Sequence, residues 1–562
     1  MGIGTILVER GLISRDQLDT ALAEQQRTGD RLDRVLSRQG VLSRHQITEA
    51  VAEQFHLPVV DLASLAVDAA VLGTLPAKLV YRQSCVPIAR DNGTLTIATS
   101  DPHDLAGLDE LKLLTGCSIE LVLADDDDLQ RFIRAHYGVG GDTLDAMAAG
   151  ADIKDAAAGI KPGSEELEAA QEASVVKLVN DILAEAISLR ATDVHFEPYE
   201  HELTVRYRID GILERANVPV TINRFAAAII SRLKIMASLN IAEKRRPQDG
   251  RITFRDRTPG RSSEEFDLRV SVIPMLNGEG VVLRVLSKTG AVSPLDQLGM
   301  PADVLKSWDA LINRPHGILL VTGPTGSGKS TTLYASLNRI VSDEIKAITV
   351  EDPVEYHVAR VNQIQVNHKV GLDFAAGLRA ILRHDPDVVM IGEIRDKETA
   401  ETAIQASLTG HLVFSTLHTN DAAGAPTRLL DMGVEPFLVA SSLEAVMAQR
   451  LVRRVCSQCA APYTPEPADI PDSFKLAPGA TLTKGTGCRN CRNTGYVGRV
   501  GVYELLTLNE PLRERIMQRA TASALSALAV KEHALFSLRD DGFAKARAGV
   551  TTIQEVLRAL TA

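Results

Sequence analysis

The stretch Gly317-Ile-Leu-Leu-Val-Thr-Gly-Pro-Thr-Gly-Ser-Gly-Lys-Ser330 decides how this chain folds. Its first six residues are mostly apolar and predict a strand, and residues 331–337 predict a helix. Between them, the residues from Gly323 onward fit the phosphate-binding loop pattern G-x-x-x-x-G-K-[ST]. A strand, a glycine loop and a helix in that order are the context that this pattern requires. We therefore predict that the chain binds a nucleoside triphosphate.

The residue types in this loop suit a phosphate chain with a magnesium ion. Glycines let backbone N–H groups converge on phosphate oxygens, and the N-terminus of a helix favours negative charge. Lys329 is placed to reach the β- and γ-phosphates, and the Ser330 hydroxyl is placed to bind magnesium. The predicted nucleotide-binding residues are Gly323, Pro324, Thr325, Gly326, Ser327, Gly328, Lys329, Ser330 and Thr331.

Length and composition indicate a globular protein of three or four domains, since 45% of the 562 residues are hydrophobic and 24% are charged. No apolar run approaches the roughly 20 residues that span a bilayer, and the start has no signal-peptide layout. We therefore expect a cytosolic protein that docks on a membrane at most. A net charge of −11 disfavours a surface built mainly to hold nucleic acid, although a local basic groove stays open.

The N-terminus contains a duplication. Residues 5–26 align with residues 34–55 at an offset of 29, with nine identities in 22 positions. Each copy is a short apolar helix, a Gly turn and a Ser-x-x-Gln capping box that opens a second helix. Residues 1–62 are therefore predicted as a duplicated helical module.

Three further segments precede the phosphate-binding loop. Residues 63–137 mix strand and helix patterns and predict an α+β domain. Residues 138–165 are predicted as a flexible linker because half of residues 138–163 are Ala or Gly and none of them is aromatic. Residues 166–290 then predict a second α+β domain, and residues 295–562 predict an α/β domain with a mainly parallel sheet.

Three more apolar runs end in polar residues, as the strand before the loop does. Glu351 and Asp352 follow the first, Glu393 the second, and His418 lies beyond the third. Because ligand groups collect at the carboxyl ends of parallel strands, we expect all of them to meet at one nucleotide. Each acid taken alone is also compatible with a solvated strand end.

We assign these residues separate roles. Glu393 polarises the attacking water, Glu351 and Asp352 assist water and magnesium, and His418 senses the γ-phosphate. Many such nucleotide hydrolases carry an Asp immediately before the catalytic Glu, but this chain has Gly392 there. We therefore do not expect this strand to bind magnesium directly.

Four cysteines predict a metal site. Two C-x-x-C pairs with 28 residues between them, Cys456 with Cys459 and Cys488 with Cys491, suit tetrahedral zinc. With no spare His or open ligand position, the zinc subdomain, residues 453–500, is interpreted as structural. A redox pair and a nucleic-acid zinc ribbon are the alternatives.

With these motifs in hand, the chain resembles the type II secretion and type IV pilus assembly ATPases, a branch of the secretion motor superfamily. Besides the phosphate-binding loop, the resemblance rests on an acid box (residues 348–355), a second acidic motif (383–395) and a histidine box (410–418). It also rests on three upstream motifs at residues 191–198, 206–211 and 243–251.

The resemblance implies a RecA-like P-loop ATPase core, preceded by an α+β, PAS-like second domain and the helical duplicated module. It implies a homohexamer that binds ATP and Mg²⁺ between the second and C-terminal domains. Arginines complete such a site because guanidinium groups stabilise the transferring phosphoryl oxygens. The candidates are Arg206, Arg208, Arg246, Arg251 and Arg383. Each is equally compatible with a structural ion pair.

The resemblance also implies partners. An inner-membrane platform protein and docking proteins would hold the ATPase at the membrane periphery, and no direct nucleic-acid contact is expected. The tetracysteine site and the duplicated module are features of the assembly and export branch, so extension or export is favoured over retraction. A nucleic-acid translocating ring is the rival from another class.

The second rival is a pilus motor regulated by cyclic di-GMP. The duplicated helices resemble a module that in some members binds this dinucleotide through an Arg-Leu-Gly motif in each copy. Here the second copy reads Arg31-Leu-Asp33 and the first reads Gly2-Ile-Gly4. Asp33 adds negative charge beside a phosphate site, and the first copy has no Arg. The alternative is a docking platform for an inner-membrane partner.

Overall fold

The structure is a computed structural model, and it separates into two compact units, Met1–Ser287 and Lys288–Ala562. It describes residues 4, 7, 8, 10–28, 32, 35, 36, 42, 44–62, 65–102, 105–141, 143, 144, 147, 165–255, 264–287, 293–466, 470–476, 479–488 and 490–561. In the described part of the chain, no helix is both long enough and apolar enough to cross a membrane.

The first unit begins with the N-terminal helices and continues with a three-stranded and a six-stranded sheet, each with its own helices. Its helices are α1 (Arg15–Thr28), α2 (Arg44–Phe55), α3 (Ala69–Leu72), α4 (Ala77–Gln83), α5 (Leu105–Thr115), α6 (Asp126–Tyr137), α7 (Glu165–Ser188) and α8 (Ala226–Met236). Its strands are β1 (Cys85–Asp91), β2 (Thr94–Thr99), β3 (Ser118–Leu123), β4 (Ala191–Pro198), β5 (Leu203–Ile209), β6 (Ile212–Arg215), β7 (Gln248–Arg255), β8 (Glu265–Met275) and β9 (Gly278–Ser287).

The two N-terminal copies share one small core. Leu7 and Leu36, which are equivalent in the repeat, are both completely buried in it, and so are Ala21 and Ala50. The same position in each copy therefore serves the same packing role. The duplication is thus seen in the packing of the two copies as well as in their amino-acid sequence.

The predicted capping box is confirmed in the first copy. The Ser14 backbone N–H donates to Gln17 Oε1 at 2.8 Å, and the Gln17 N–H donates to Ser14 Oγ at 3.2 Å. Its counterpart Ser43 lies outside the described residues, as do the residues on which the dinucleotide prediction depends, namely Gly2, Ile3, Arg31 and Asp33.

Residues 63–137 form a three-stranded sheet with helices packed on it. β1 pairs antiparallel with β2, and β2 pairs parallel with β3. The core between sheet and helices includes Val80, Leu95, Ile97 and Ile133, all fully buried.

The segment predicted as a flexible linker, residues 138–165, does not begin as one. Val139, Leu144 and Met147 are buried in the core of the following domain. Small residues make this packing feasible, because a Cβ at Gly140 would lie 2.4 Å from a Leu178 methyl carbon. A high Ala and Gly content therefore reflects close packing here as much as freedom. Residues 148–164 lie outside the described part, and α7 begins at residue 165.

The second domain is a six-stranded antiparallel sheet with α7 and α8 packed on one face. The strand order is β6-β5-β4-β9-β8-β7. Its core includes Ile182 of α7 and Ile229 of α8 with Val194 and Leu283 from the central strands. Lys234 of α8 is completely buried and is neutralised by Glu279, whose Oε1 lies 2.7 Å from Lys234 Nζ. The predicted α+β class is confirmed.

The second unit is built on one eight-stranded sheet. The strands are β10 (Gly317–Thr322), β11 (Ala347–Glu351), β12 (Val361–Gln365), β13 (Val388–Ile391), β14 (Leu412–Leu417), β15 (Leu443–Val455), β16 (Ala460–Tyr463), β17 (Leu482–Gly485), β18 (Tyr496–Thr507) and β19 (Leu535–Phe536). The order in the main sheet is β12-β11-β13-β14-β10-β15-β18-β19, while β16 and β17 pair separately.

Helices lie around this sheet. They are α9 (Ala302–Ile312), α10 (Lys329–Ile340), α11 (Phe374–Ile381), α12 (Lys397–Leu408), α13 (Gly424–Asp431), α14 (Pro436–Ser442), α15 (Glu510–Met517), α16 (Ala522–Lys531), α17 (Leu538–Arg547) and α18 (Ile553–Thr561). The six strands from β12 to β15 in the sheet order are parallel. Beyond them, β18 pairs antiparallel with β15, and β19 pairs antiparallel with β18. The predicted α/β class with a mainly parallel sheet is confirmed.

The core on one side of the sheet is organised around Trp308 of α9, which is fully buried. Its indole N–H donates to Ser336 Oγ of α10 at 2.9 Å. The neighbouring residues Leu333 and Leu337 pack in the same cluster. The helix that follows the phosphate-binding loop is therefore held by an aromatic anchor and not by apolar contact alone.

Substituting Trp308→Ala should lower the free energy of unfolding by about 3–5 kcal/mol, because it leaves a large cavity and removes the donor to Ser336. Urea unfolding followed by circular dichroism measures this, since the chain has one Trp and the variant has none. Ser336→Ala, which removes the hydroxyl alone, should cost about 1 kcal/mol. Equal losses in the two variants would contradict the anchoring role of the indole.

Candidate active site and metal centre

The phosphate-binding loop leaves the carboxyl end of β10 and turns into α10. Gly323 has φ +145°, and a Cβ there would lie 2.5 Å from the Gln449 carbonyl oxygen. Gly328, which precedes the first helical residue, has φ +88°, and its Cβ would lie 2.8 Å from Gln449 Nε2. Both positions therefore need glycine, because the loop packs closely against β15.

Lys329 is turned back onto this loop. Its Nζ donates to the carbonyl oxygens of Gly323 at 2.8 Å and of Pro324 at 3.1 Å. Burial lowers the pKa of Lys329 to about 8, although the nearby negative charge of Glu393 acts in the opposite direction. The ammonium group therefore has neutral partners that a triphosphate can replace.

Glu393 follows β13 and is largely buried, with 14% of its side chain exposed. Its Oε1 pairs with Arg395, and its Oε2 lies 3.3 Å from His418 Nε2. His418 follows β14, so two neighbouring strand ends meet in this contact. The structure thus brings together the predicted water-activating acid and the predicted phosphate-sensing histidine.

The acid at the end of β11 has a different environment. Glu351 is 4% exposed, and its carboxylate accepts hydrogen bonds from the hydroxyls of Tyr334 and Thr349 and from Gln363 Nε2. Glu351, which is predicted to assist water and magnesium, thus already has three hydrogen-bond donors from the protein. Asp352 is less buried, and its Oδ2 lies 3.7 Å from His368 Nε2.

One cavity connects these strand ends to the loop. Six of its lining residues come from α10, from β11 and the segment after it, from the residue after β13, and from β14, namely Ser330, Glu351, Asp352, Glu355, Gly392 and Thr416. A Cβ at Gly392 would lie 3.3 Å from Phe374 and 3.4 Å from the Glu351 Cα, so an Asp there would need neighbours to move. Ser330, the predicted magnesium ligand, faces the same cavity as the acids of β11.

Four of the five predicted arginines belong to the first unit, and Arg383 belongs to the second. Arg206 forms a two-pronged ion pair with Glu197, at 2.6 and 2.7 Å, and Arg208 donates to the Gly211 carbonyl at 3.0 Å. Arg246 and Arg251 are exposed in the same unit. In the second unit, Arg383 donates to the Arg379 carbonyl at 2.8 Å.

Sequence reasoning missed Arg395, Tyr334 and Arg450. Arg450 is 7% exposed on β15, donates to the Asn420 carbonyl at 2.8 Å, and its Nη1 would lie 3.2 Å from a Cβ at Gly323. A charged residue inside the apolar run of β15 was the only signal for it. Arg395 lies within the second acidic motif but carried no assigned role.

The four predicted metal ligands converge. All four Sγ atoms lie within 4.8 Å of one another, and they come from the loops before β16 and after β17. Three Sγ pairs, Cys456 with Cys488, Cys459 with Cys491, and Cys488 with Cys491, are 3.7 Å apart. Zn–S bonds of about 2.3 Å in a tetrahedron require sulfur atoms about 3.8 Å apart. The residues present therefore fit a structural zinc ion.

Neighbouring groups support the ligands. Backbone N–H groups of Cys488 and Gly495 donate to Cys491 Sγ at 3.1 and 3.2 Å, as expected around a thiolate. Beside them, Arg453 pairs with Glu555 of α18. Burial raises the pKa of Glu555, but hydrogen bonds from Arg453 and Arg558 outweigh burial and lower the pKa to about 2. The end of β15, from which the first cysteine loop leaves, is thus paired with the C-terminal helix through the negative charge of Glu555.

Comparison with known proteins agrees with this geometry. The family model of the type II/IV secretion system protein matches residues 168–558, and that of the MshEN domain matches residues 55–143. The type IV pilus assembly ATPase PilB of Myxococcus xanthus is 41% identical over 566 residues, covering 99% of this chain and 98% of PilB. The type II secretion system protein E of Pseudomonas aeruginosa is 45% identical over 505 residues, covering 88% of this chain and 98% of that protein.

A solved structure shares the fold. The X-ray structure of the ATPase DotB from Legionella pneumophila matches with a TM-score of 0.50 at 22% identity, covering 68% of this chain and 95% of DotB. The sequence matches extend over nearly the whole chain and include both the phosphate-binding loop and the cysteine pairs. The chain therefore belongs to the type II/IV secretion system protein family, and it is an ATPase that powers type II secretion or type IV pilus assembly.

Proposed function

We propose that this ATPase works as a hexameric ring held at the cytoplasmic face of the inner membrane by a platform protein and docking proteins. It hydrolyses ATP with Mg²⁺ and turns domain closure and reopening into movement of that platform. The proposal depends mainly on one observation. Glu393 contacts His418 where β13 and β14 end, and its negative charge acts on Lys329 in the direction that raises the lysine pKa.

The loop residues bind the phosphate chain. Lys329 exchanges its two carbonyl partners for β- and γ-phosphate oxygens, a stronger, charge-assisted pairing. The backbone N–H groups of the loop and the N-terminus of α10 hold the same oxygens. Ser330 would hold magnesium, which when bound neutralises charge that develops on the phosphate oxygens.

Glu393 positions the attacking water and accepts its proton. In the structure its carboxylate is engaged by Arg395 and His418, so it is not yet free for water. A γ-phosphate attracts the Arg395 guanidinium and accepts a hydrogen bond from the His418 ring. Binding of ATP thereby releases the carboxylate, and His418 reports the presence of the γ-phosphate.

The arginines of the second domain complete the site in this proposal. Arg246 and Arg251 are exposed and are the better candidates, because Arg206 is already paired with Glu197 on its own sheet. Arg208 and Arg383 would have to leave backbone carbonyls to take part. Zinc at the four cysteines is structural and takes no part in hydrolysis.

Substituting Lys329→Ala should abolish ATP hydrolysis and most nucleotide binding, because the phosphate chain loses its cation. Glu393→Gln should keep binding but lower turnover by about 10²–10⁴-fold, the usual contribution of a general base. Phosphate release and titration with a fluorescent ATP analogue separate the two effects. The mechanism is wrong if either variant turns over ATP at the wild-type rate.

The metal proposal has its own test. Cys456→Ser should lower the zinc content from about one ion per chain, because structural sites need all four ligands. Amide hydrogen exchange should then rise across residues 453–500 and stay unchanged in the six-stranded sheet. Cys117→Ser, a buried cysteine of the first unit, is the control and should keep the zinc. Full zinc content in Cys456→Ser would contradict the site.

The machine that the ATPase serves can be read in the native host carrying Lys329→Ala on the chromosome. Loss of surface pili with normal protein export identifies a pilus assembly motor, and retention of secreted enzymes inside cells with normal pili identifies a secretion motor. Normal pili and normal export would contradict the proposal. A nucleic-acid translocase would instead show hydrolysis stimulated by DNA and suppressed by salt.

A further inference from the structure

Tyr334 connects the helix after the phosphate-binding loop to the acid strand. Its side chain is 1% exposed, and its hydroxyl donates to Glu351 Oε2. The same hydroxyl oxygen accepts the backbone N–H of Glu355 at 3.1 Å. One group therefore joins α10 to both ends of the segment 351–355.

The position of Tyr334 along α10 gives this connection a direction. Tyr334 follows Ser330 by four residues, so the two side chains lie on the same helix face. Ser330 and Glu351 both line the cavity described above. The hydroxyl of Tyr334 thus joins the helix that carries the predicted magnesium ligand to the buried acid.

The partners of Glu351 are all neutral. They are the hydroxyls of Tyr334 and Thr349 and the side-chain amide of Gln363. Among the described residues, no Lys, Arg or His forms an ion pair with Glu351. Neutral donors fix a carboxylate in place but leave its charge uncompensated, and a buried uncompensated charge attracts a cation strongly.

We propose that Tyr334 is a positioning residue, whose hydroxyl holds Glu351 and the segment 351–355 so that their negative charge favours hydrated magnesium beside Ser330. This inference rests on the proposed function and adds to it a residue that touches neither nucleotide nor metal. Glu351 acts through the field of its carboxylate, in contrast to Glu393, which acts on water.

The surroundings keep the Tyr334 hydroxyl a donor. Burial, followed by the negative charge of Glu351, raises the pKa of Tyr334 well above its ordinary value. The ring is also fixed by Tyr356, which packs edge-on with 5.9 Å between ring centroids. A substitution that removes only the hydroxyl therefore leaves the ring packing in place.

The test is the effect of Mg²⁺ on nucleotide affinity. The full-length Tyr334→Phe protein is titrated calorimetrically with a non-hydrolysable ATP analogue, once with Mg²⁺ and once with EDTA. We expect the metal-free affinity to stay within about twofold of wild type and the gain from Mg²⁺ to fall about tenfold, since a hydrogen bond to a charged group is lost.

Tyr207→Phe is the matched control. Tyr207 is also a buried tyrosine whose hydroxyl meets a glutamate, Glu185, at 2.9 Å, but it lies in the first unit. This variant should keep the full gain from Mg²⁺. The inference is overturned if Tyr334→Phe keeps the full gain too, or if it loses metal-free affinity by the same factor, which would indicate a merely structural role.

A second variant protects the test against misfolding. Thr349→Val removes a donor to the other carboxylate oxygen of Glu351 and should also reduce the gain from Mg²⁺, in protein whose circular dichroism spectrum matches that of wild type. An unreduced gain in folded Thr349→Val overturns the inference. Failure of the proposed function is distinguishable, because wild-type protein itself would then show no hydrolysis and no gain from Mg²⁺.

Discussion

The close packing of the phosphate-binding loop against β15 is the constraint on which the site depends. At Gly323 and Gly328 the loop backbone lies so near Gln449 that no side chain fits. Every residue of β10, the strand before the loop, is buried, and its two edges are hydrogen-bonded to β14 and β15. Because the strand cannot shift, the loop, the ends of β13 and β14 and the start of α10 keep one relative geometry.

Two acids in one sheet have opposite surroundings, and this separates their roles. Glu393 contacts Arg395 and His418, and in the proposed mechanism a γ-phosphate draws these two side chains away, so that the carboxylate becomes available to water only when ATP is bound. Glu351 is held by neutral donors that no phosphate competes for, so its charge stays in place. Environments that differ in this way let one site contain a switchable base and a fixed electrostatic element.

The cysteine loops belong to the same unit as the phosphate-binding loop, and a metal site holds them together. Four converging thiols fit a zinc ion at their centre, and Phe474 and Leu482, which lie between the two cysteine pairs, are buried against α17 and α18. β15 carries both the residue that packs on the phosphate-binding loop, Gln449, and the residue that pairs with α18, Arg453. One continuous strand therefore joins the nucleotide side of the unit to its metal side.

The features that depend on local sequence pattern could be predicted before the structure was known. The loop with its flanking strand and helix, the convergence of polar strand ends, the cysteine spacing and the N-terminal duplication all follow from periodicity and spacing. Side-chain partners depend on contacts between segments that are distant in the chain, so they could be identified only in the folded structure. The structure places Tyr334 on Glu351 and Arg450 beside Gly323, and it buries Val139, Leu144 and Met147 where Ala and Gly content had indicated a linker. Composition reports how much a segment can bury alone, whereas burial depends on what packs against it.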